Sequence, residues 1–368
     1  EPAMLARADK VMLLSGFLNW RLTARCSDAV AAQVAYLPFD YRRQTWCKSS
    51  DWRWNAVAVL PRQCPDLVPS MQPLGAVDAE AARRTGIPQG LPVVAAGADK
   101  ACEALAASRL APGAACVSTG TSVSIAVETD RYVEALPFAP AYPAVDPGRY
   151  CSEIQTACGF WMVRWFLDVF GHAEREAATR QGVPPEAMFD ALAASVGAGA
   201  AGLMLQPHWS PGVRHPAADA RGSVIGFGPE HGRAHLARAI LEGQAHAMRE
   251  GRELLARATR RSIDKLVIVG AASRSDLVTQ IMADVIGVPA MRLHTAEAAS
   301  LGAAIAAAVG GGLHADAGTA AAAMARPGRV FEPQAADSAL YDRLHRTVYR
   351  PLYGRLAPLY ASLARIRG

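Results

Sequence analysis

The sequence predicts an α/β protein, and three stretches carry that expectation. Leu266, Val267, Ile268 and Val269 form an unbroken apolar run that reaches Gly270 and then a helical pattern over 275–286; a second apolar segment at 290–293 leads into a helical pattern over 297–309. Residues 93–96 repeat the theme, ending at Gly97 and passing through Asp99 into a helical pattern over 101–108. Residues 115–127 alternate around Thr119-Gly120-Thr121 and read as a β-hairpin with a polar, glycine-containing tip. Strand–turn–helix–strand–helix order is the signature of an α/β layer.

The remaining elements follow in chain order. Leu5, Val11, Leu14, Leu18 and Leu22 recur at helical spacing, so one amphipathic helix is expected over 5–22. Residues 28–92 are loop-rich, with tryptophans at 46, 52 and 54 and a series of prolines, interrupted by a short helix over 79–85 that stops at Gly86. Pro112-Gly113 marks a turn and a domain boundary. Helices are expected over 156–170 and 235–258. The tail, 335–367, carries Tyr341, Leu344, Val348, Leu352, Leu356 and Leu359 at helical spacing, with Pro351 and Pro358 as the points where that helix should kink or split.

Composition sets the class. The 368 residues are 51% hydrophobic and 19% charged, enough to bury a large core and to fill two domains, or one and a half. A net charge of +5 with scattered basic pairs such as Arg83-Arg84 gives no nucleic-acid stripe. Cys26, Cys47, Cys64, Cys102, Cys116, Cys151 and Cys158 have no CxxC spacing and read as free thiols in a reducing compartment. The first residues are no secretory signal, and the apolar run at 303–309 is too short to cross a bilayer. A cytoplasmic protein is expected. The chain starts with Glu1 rather than Met, which reads as a fragment.

Three constellations can carry chemistry. Asp99 follows a buried strand at a helix start, where α/β ligand sites lie; its carboxylate can take a proton from a substrate hydroxyl or simply cap the helix. Around Gly120, the small hydroxyl residues of Ser118-Thr119-Gly120-Thr121-Ser122 leave room for backbone amides to approach a phosphate; an ordinary hairpin turn reads the same way. Gly270-Ala271-Ala272-Ser273-Arg274-Ser275 can host a nucleotide against the next helix, or merely let strand and helix pack closely. Other motifs fail: Gly226-Phe227-Gly228 lacks the third glycine of a dinucleotide fingerprint, no GxxxxGK[ST] or GxSxG occurs, and His231 with His235 lacks the HExxH context of a zinc site.

Taken in order, these segments resemble the FGGY carbohydrate kinases, the family of glycerol kinase, xylulokinase and gluconokinase. "LSGFLNWRLTARCSDAVAA" is similar to the family's helix and "LTG" turn, with Ala24 in the glycine's place. "TGIPQGLPVVAAGADKACEAL" resembles its "TGL", "GxPV" and "GGGD" stretch, and "VSTGTSVSI" its second phosphate loop. "PGVRHPAADARGSVIGF" looks like its "GxRxPxxxxxARGxxxGL" signature, matched at Gly212, Arg214, Pro216, Ala220, Arg221, Gly222 and Gly226. "VIVGAASRSDLVTQIMADVIGVP" resembles its adenosine motif and "EAASLGAAIAA" the helix after it.

The resemblance implies an actin-like ATPase (ribonuclease H-like) fold in two lobes, the first incomplete. Residues 1–110 would be the remainder of a sugar-binding lobe, 111–334 an ATP-binding lobe and 335–368 a C-terminal helix. It implies phosphorylation of a sugar, polyol or sugar-acid hydroxyl by ATP with Mg²⁺, Asp99 acting as base. Gly120, Thr121 and Ser122 would face the phosphates, and Gly270, Ala271 and Ser275 the adenine and ribose. Lys100 stands where Gln or Asn is common and could contact an anionic or polyhydroxy substrate. The expected partner is that small substrate, with no nucleic acid or membrane; a homodimer is admissible. Ala271 and Ala272 replace glycines of the adenosine motif, and the family's opening "DxGT" phosphate loop has no counterpart. Those departures keep an alternative open, a non-catalytic or decayed actin-fold nucleotide-binding protein; a second is an actin-fold ATPase with a protein partner.

Overall fold

The helix expected over 5–22 is two helices, Pro2–Arg7 and Leu14–Thr23, in a computed structural model that describes residues 2–34, 37–137, 139–210 and 216–367. The break has a cause in hydrogen bonding. Gln63 Nε2 donates to the carbonyls of Leu5 and Ala8, the Val11 amide donates to the Gln63 carbonyl, and Lys10 Nζ reaches the carbonyls of Arg62 and Cys64. Backbone groups that a continuous helix would pair internally are satisfied instead by the 61–64 turn.

Two compact units emerge from the residue contacts. The first comprises Glu1–Pro112, Val127–Ser152 and Ala298–Arg326; the second comprises Gly113–Ala126, Glu153–Glu297 and Pro327–Gly368.

In the first unit the strand Pro92–Val94 pairs antiparallel with Pro73–Ala76, and Ser27–Ala29 pairs parallel with Asp66–Val68. The helix Asp99–Leu110 lies against the helix Ala298–Gly310. Their separation is set by Gly302, where a Cβ would sit 2.0 Å from the Cys102 carbonyl oxygen. At the far end of the second helix, a Cβ on Gly310 would meet Val94 Cγ1 at 2.4 Å. One alanine-rich helix therefore backs both the strand and the helix that flank Asp99.

In the second unit the apolar run Leu266–Val269 is the central strand. It pairs parallel with Ala115–Thr119 on one side and with Ala290–Leu293 on the other. Pro327–Phe331 closes that side antiparallel, and Val123–Thr129 pairs antiparallel with Ala115–Thr119, followed in order by Tyr150–Thr156. The long helix Arg233–Thr259 approaches this sheet at Gly251, where a Cβ would stand 2.6 Å from Ile125 Cγ2. All four residues of Leu266–Val269 are buried, as a strand covered on both faces should be.

Residues 156–170, expected as one helix, are the end of a strand, a four-residue loop and the helix Trp161–Val169. The tail changes helix type beside Pro351 and runs on through Pro358. The helix Ala335–Leu344 passes through a π-helical segment, His345–Tyr349, into Arg350–Arg367, which contains Pro358. Among the described residues no helix is long and apolar enough to cross a membrane.

Candidate functional site

The first unit presents Asp99. Its helix begins at Asp99 itself, with Ala98 in the cap position and extended (φ −61°, ψ 158°), so the carboxylate is not the N-cap. Oδ1 instead accepts the adjacent Lys100 amide at 2.8 Å, and the residue is exposed. Lys100 Nζ lies 3.6 Å from Glu103 Oε2 on the same helix.

What holds Asp99 in place lies far away in sequence. Gly97 forms a parallel bridge with Ala31, the Ala98 amide donates to the Ala31 carbonyl at 2.9 Å, and a Cβ on Gly97 would lie 2.9 Å from both Ala31 Cβ and Val145 Cγ2. Ala31 belongs to a turn organised by Asp28, which has no solvent exposure. That carboxylate accepts from Ser15 Oγ at 2.8 Å, Gln33 Nε2 at 3.1 Å, Asn19 Nδ2 at 3.3 Å and the Ala29 amide at 2.8 Å. Burial pushes the Asp28 carboxyl above its ordinary value, against the pull of these hydrogen bonds. Asp28 and Gln33 were not singled out from sequence, because only the fold brings their turn to Ala98.

Both loops expected to face a nucleotide belong to the second unit, and the sheet brings them together. The hairpin tip Gly120–Ser122 follows Ala115–Thr119; the turn at Ala271–Arg274 follows its parallel neighbour Leu266–Val269. Gly270 adopts φ 87°, and a Cβ there would press on the Thr119 backbone at 3.1 Å. Only glycine combines that backbone angle with that approach. Thr121 is exposed, and Ser122 Oγ accepts from Gln155 Nε2 at 2.7 Å.

The tip is backed by the segment 158–160. The Gly159 amide donates to the Thr121 carbonyl at 2.9 Å and the Phe160 amide to the Gly120 carbonyl at 3.1 Å. A Cβ on Gly159 would fall 2.4 Å from the Ser122 carbonyl carbon, so this position admits no side chain without moving the tip. Gly159 was also missed, since its place in an expected helix hid its contact.

In the second loop, Ser273 is buried and bonds back to the Gly270 carbonyl through its hydroxyl at 2.6 Å. Ala271 is exposed. Ser275 caps the helix Asp276–Ile286, its Oγ accepting the Val278 amide at 3.1 Å, and its side chain also hydrogen-bonds Asp190.

Of the signature residues, Gly212 and Arg214 lie outside the described residues. Pro216 and Ala220 are buried, and Arg221 Nη1 donates to the Ala220 carbonyl at 2.7 Å. A Cβ on Gly222 would stand 1.9 Å from Trp209 Cε3, and Gly226 (φ 96°) packs against the Gly202 carbonyl. These contacts stabilise a bend and a tight turn. No group of three or more His, Cys, Asp or Glu residues is arranged to hold a metal ion among the described residues.

Residues 1–106 match the N-terminal domain of the FGGY family of carbohydrate kinases, and residues 115–311 match its C-terminal domain. The uncharacterized sugar kinase YgcE of Escherichia coli is 31% identical over 93% of this chain and 69% of its own length. A xylulose kinase of Staphylococcus epidermidis is 29% identical over 100% of this chain and 71% of its own. Among solved structures, xylulose kinase from Rhodospirillum rubrum superposes with a TM-score of 0.79 at 29% identity, covering 98% of this chain and 70% of that one.

Proposed function

The chain belongs to the FGGY family of carbohydrate kinases, and from that premise we propose that it transfers the γ-phosphoryl group of ATP to a hydroxyl of a small sugar or polyol, with Asp99 as general base. Its fold is the actin-like ATPase fold. Nothing favours the non-catalytic alternative.

The observation that carries the catalytic assignment is the state of Asp99. It is an exposed carboxylate at the first position of a helix whose cap is another residue. A carboxylate so placed can accept the proton that the acceptor hydroxyl loses as it attacks phosphorus. Lys100 beside it can bond the acceptor's other hydroxyls. Gly120, Thr121 and Ser122 would face the phosphates, since small residues there let the backbone approach; the Gly120 amide itself donates to the Ser122 carbonyl at 3.1 Å, so Gly120 would contribute by leaving room. Gly270, Ala271 and Ser275 would flank the nucleoside. Ser275, already committed to capping and to Asp190, would act through position more than through a free hydroxyl.

Mg²⁺ would enter this arrangement as an ion carried by the nucleotide. It keeps several waters and needs only one or two carboxylates beside phosphate oxygens, not a protein cage. When bound it would neutralise phosphate charge. Ketopentoses of the xylulose type are the first acceptors to try, because several relatives are named xylulose kinases; polyols and aldonates come next.

The test is Asp99→Asn in a coupled ADP assay, with nucleotide binding measured in parallel. Turnover should fall by about 10²–10⁴-fold, the usual contribution of a positioned base, while ADP affinity is unchanged. Turnover near the wild-type rate would remove Asp99 from this role.

A further inference from the structure

The strand Ala290–Leu293 carries a side chain that reaches the turn after the neighbouring strand. Arg292 is paired in register with Ile268. Its Nη1 donates to the carbonyls of both Ser273 and Arg274, each at 3.1 Å. Its Nη2 donates to Asp276 Oδ1 at 2.6 Å, at the first residue of the following helix. The guanidinium also lies 5.0 Å from the centre of the Phe331 ring, which limits its rotation.

This geometry uses what only arginine offers, a planar fork of donors in fixed relation. One nitrogen gathers two consecutive carbonyls at the end of the turn while the other holds the start of the helix. Most of the turn's other bonds are internal: the Ser273 amide and hydroxyl both return to the Gly270 carbonyl, and the Ser275 amide returns to Ala272; Arg274 also pairs outward with Glu297 at 3.1 Å, where both side chains are exposed and the pair is weak. Arg292 thus ties the Ala271–Arg274 turn to the neighbouring strand, while Ala271 is left exposed. Two alanines occupy the turn where the adenosine motif has glycines, so a small shift would carry a methyl group into the nucleoside's space.

We propose that Arg292 is a positioning residue for the nucleotide, holding the Ala271–Arg274 turn at the height that accepts the nucleoside. The proposal rests on the reading of Gly270–Ser275 as the nucleoside loop. Arg329 supplies an internal control. It pairs with the same Asp276 and lies 4.5 Å from the centre of the same Phe331 ring, and among the described residues its polar partner is Asp276 rather than the turn.

The experiment is calorimetric titration of the protein with ADP and Mg²⁺ for wild type, Arg292→Met, Arg292→Lys, Arg329→Gln and Ala271→Leu, with melting temperatures for each. Arg292→Met should weaken ADP binding about tenfold, the scale of a lost charge-assisted hydrogen bond, while the acceptor KM stays within about twofold. Arg329→Gln should bind ADP as wild type does. Arg292→Lys keeps the charge and loses the fork, so it should weaken binding too; it also serves should the methionine variant fail to fold. Wild-type affinity in both Arg292 variants, or equal losses in the Arg292 and Arg329 variants, overturns the proposal. Ala271→Leu separates the two readings. If it binds ADP normally the nucleoside lies elsewhere and both readings fall; if it blocks binding while the Arg292 variants bind normally, only the positioning role falls.

Discussion

The Thr119 hydroxyl, wholly buried, donates to the Val269 carbonyl at 2.6 Å. These are the last residues of two parallel strands, and each leads directly into one of the two loops proposed to face the nucleotide. The bond joins the loops at their roots. Thr119→Val keeps the shape and removes the donor. Stability in urea should fall by about 1–3 kcal/mol, and ADP affinity should fall with it. Unchanged unfolding midpoint and affinity would mean that the strand ladder alone sets the loops.

Helix proximity makes a second prediction in the first unit. Gly302 has no room for a methyl group, with the Cys102 carbonyl oxygen 2.0 Å from where its Cβ would be. Gly302→Ala must push the helix Asp99–Leu110 away from Ala298–Gly310. Overpacking of this kind costs about 1–3 kcal/mol. Because the displaced helix begins at Asp99, kcat should fall more than ADP affinity does. The reverse pattern, weakened ADP binding with kcat intact, would refute a link between Gly302 and the acceptor side.

Much of this was legible in the sequence, for physical reasons. Leu266–Val269 could be read because burial on both faces demands continuous apolar residues, and the hairpin because its tip is polar and carries glycine. The positions of Asp99 and of both loops followed from the same strand ends. Other features depend on partners distant in the chain. The break after Arg7 is written in Gln63, more than fifty residues on. Gly159 looked like part of a helix, and its contact with Ser122 appears only once the strands are paired. Arg292 sits in a short apolar strand, and nothing local announces that its fork closes on Ser273 and Arg274. Choosing between helix cap and exposed acid at Asp99 required the backbone angles of Ala98.

Acid should destabilise the second unit through two histidines. His246 and His345 are buried and stacked, with their Nδ1 atoms 3.2 Å apart, beside Tyr349 in the π-helical segment. One ring can donate to the other only while the acceptor is neutral. Burial is the main reason that both are held below the ordinary histidine value, His345 at about 3; Arg249 reinforces this, and Asp342 opposes it at His345. Glu253, 3.6 Å from His345 Nε2, does not reverse the direction. In the unfolded chain both would titrate near 6.5. Between about pH 6.5 and 3, therefore, the unfolded state binds protons that the folded state refuses, and stability falls as pH falls. Each histidine contributes a slope of up to about 1.4 kcal/mol per pH unit in that window and none above it. Asp28, Glu128, Asp190, Glu242 and Asp284, whose carboxyls are raised by burial, work in the opposite sense. The histidine share is the part that disappears when one ring of the pair is replaced. Urea unfolding at pH 7.5, 6.5 and 5.5 should show this loss in the wild type and a shallower one in His345→Phe. Parallel pH profiles for the two proteins would show that the pair does not govern the acid sensitivity.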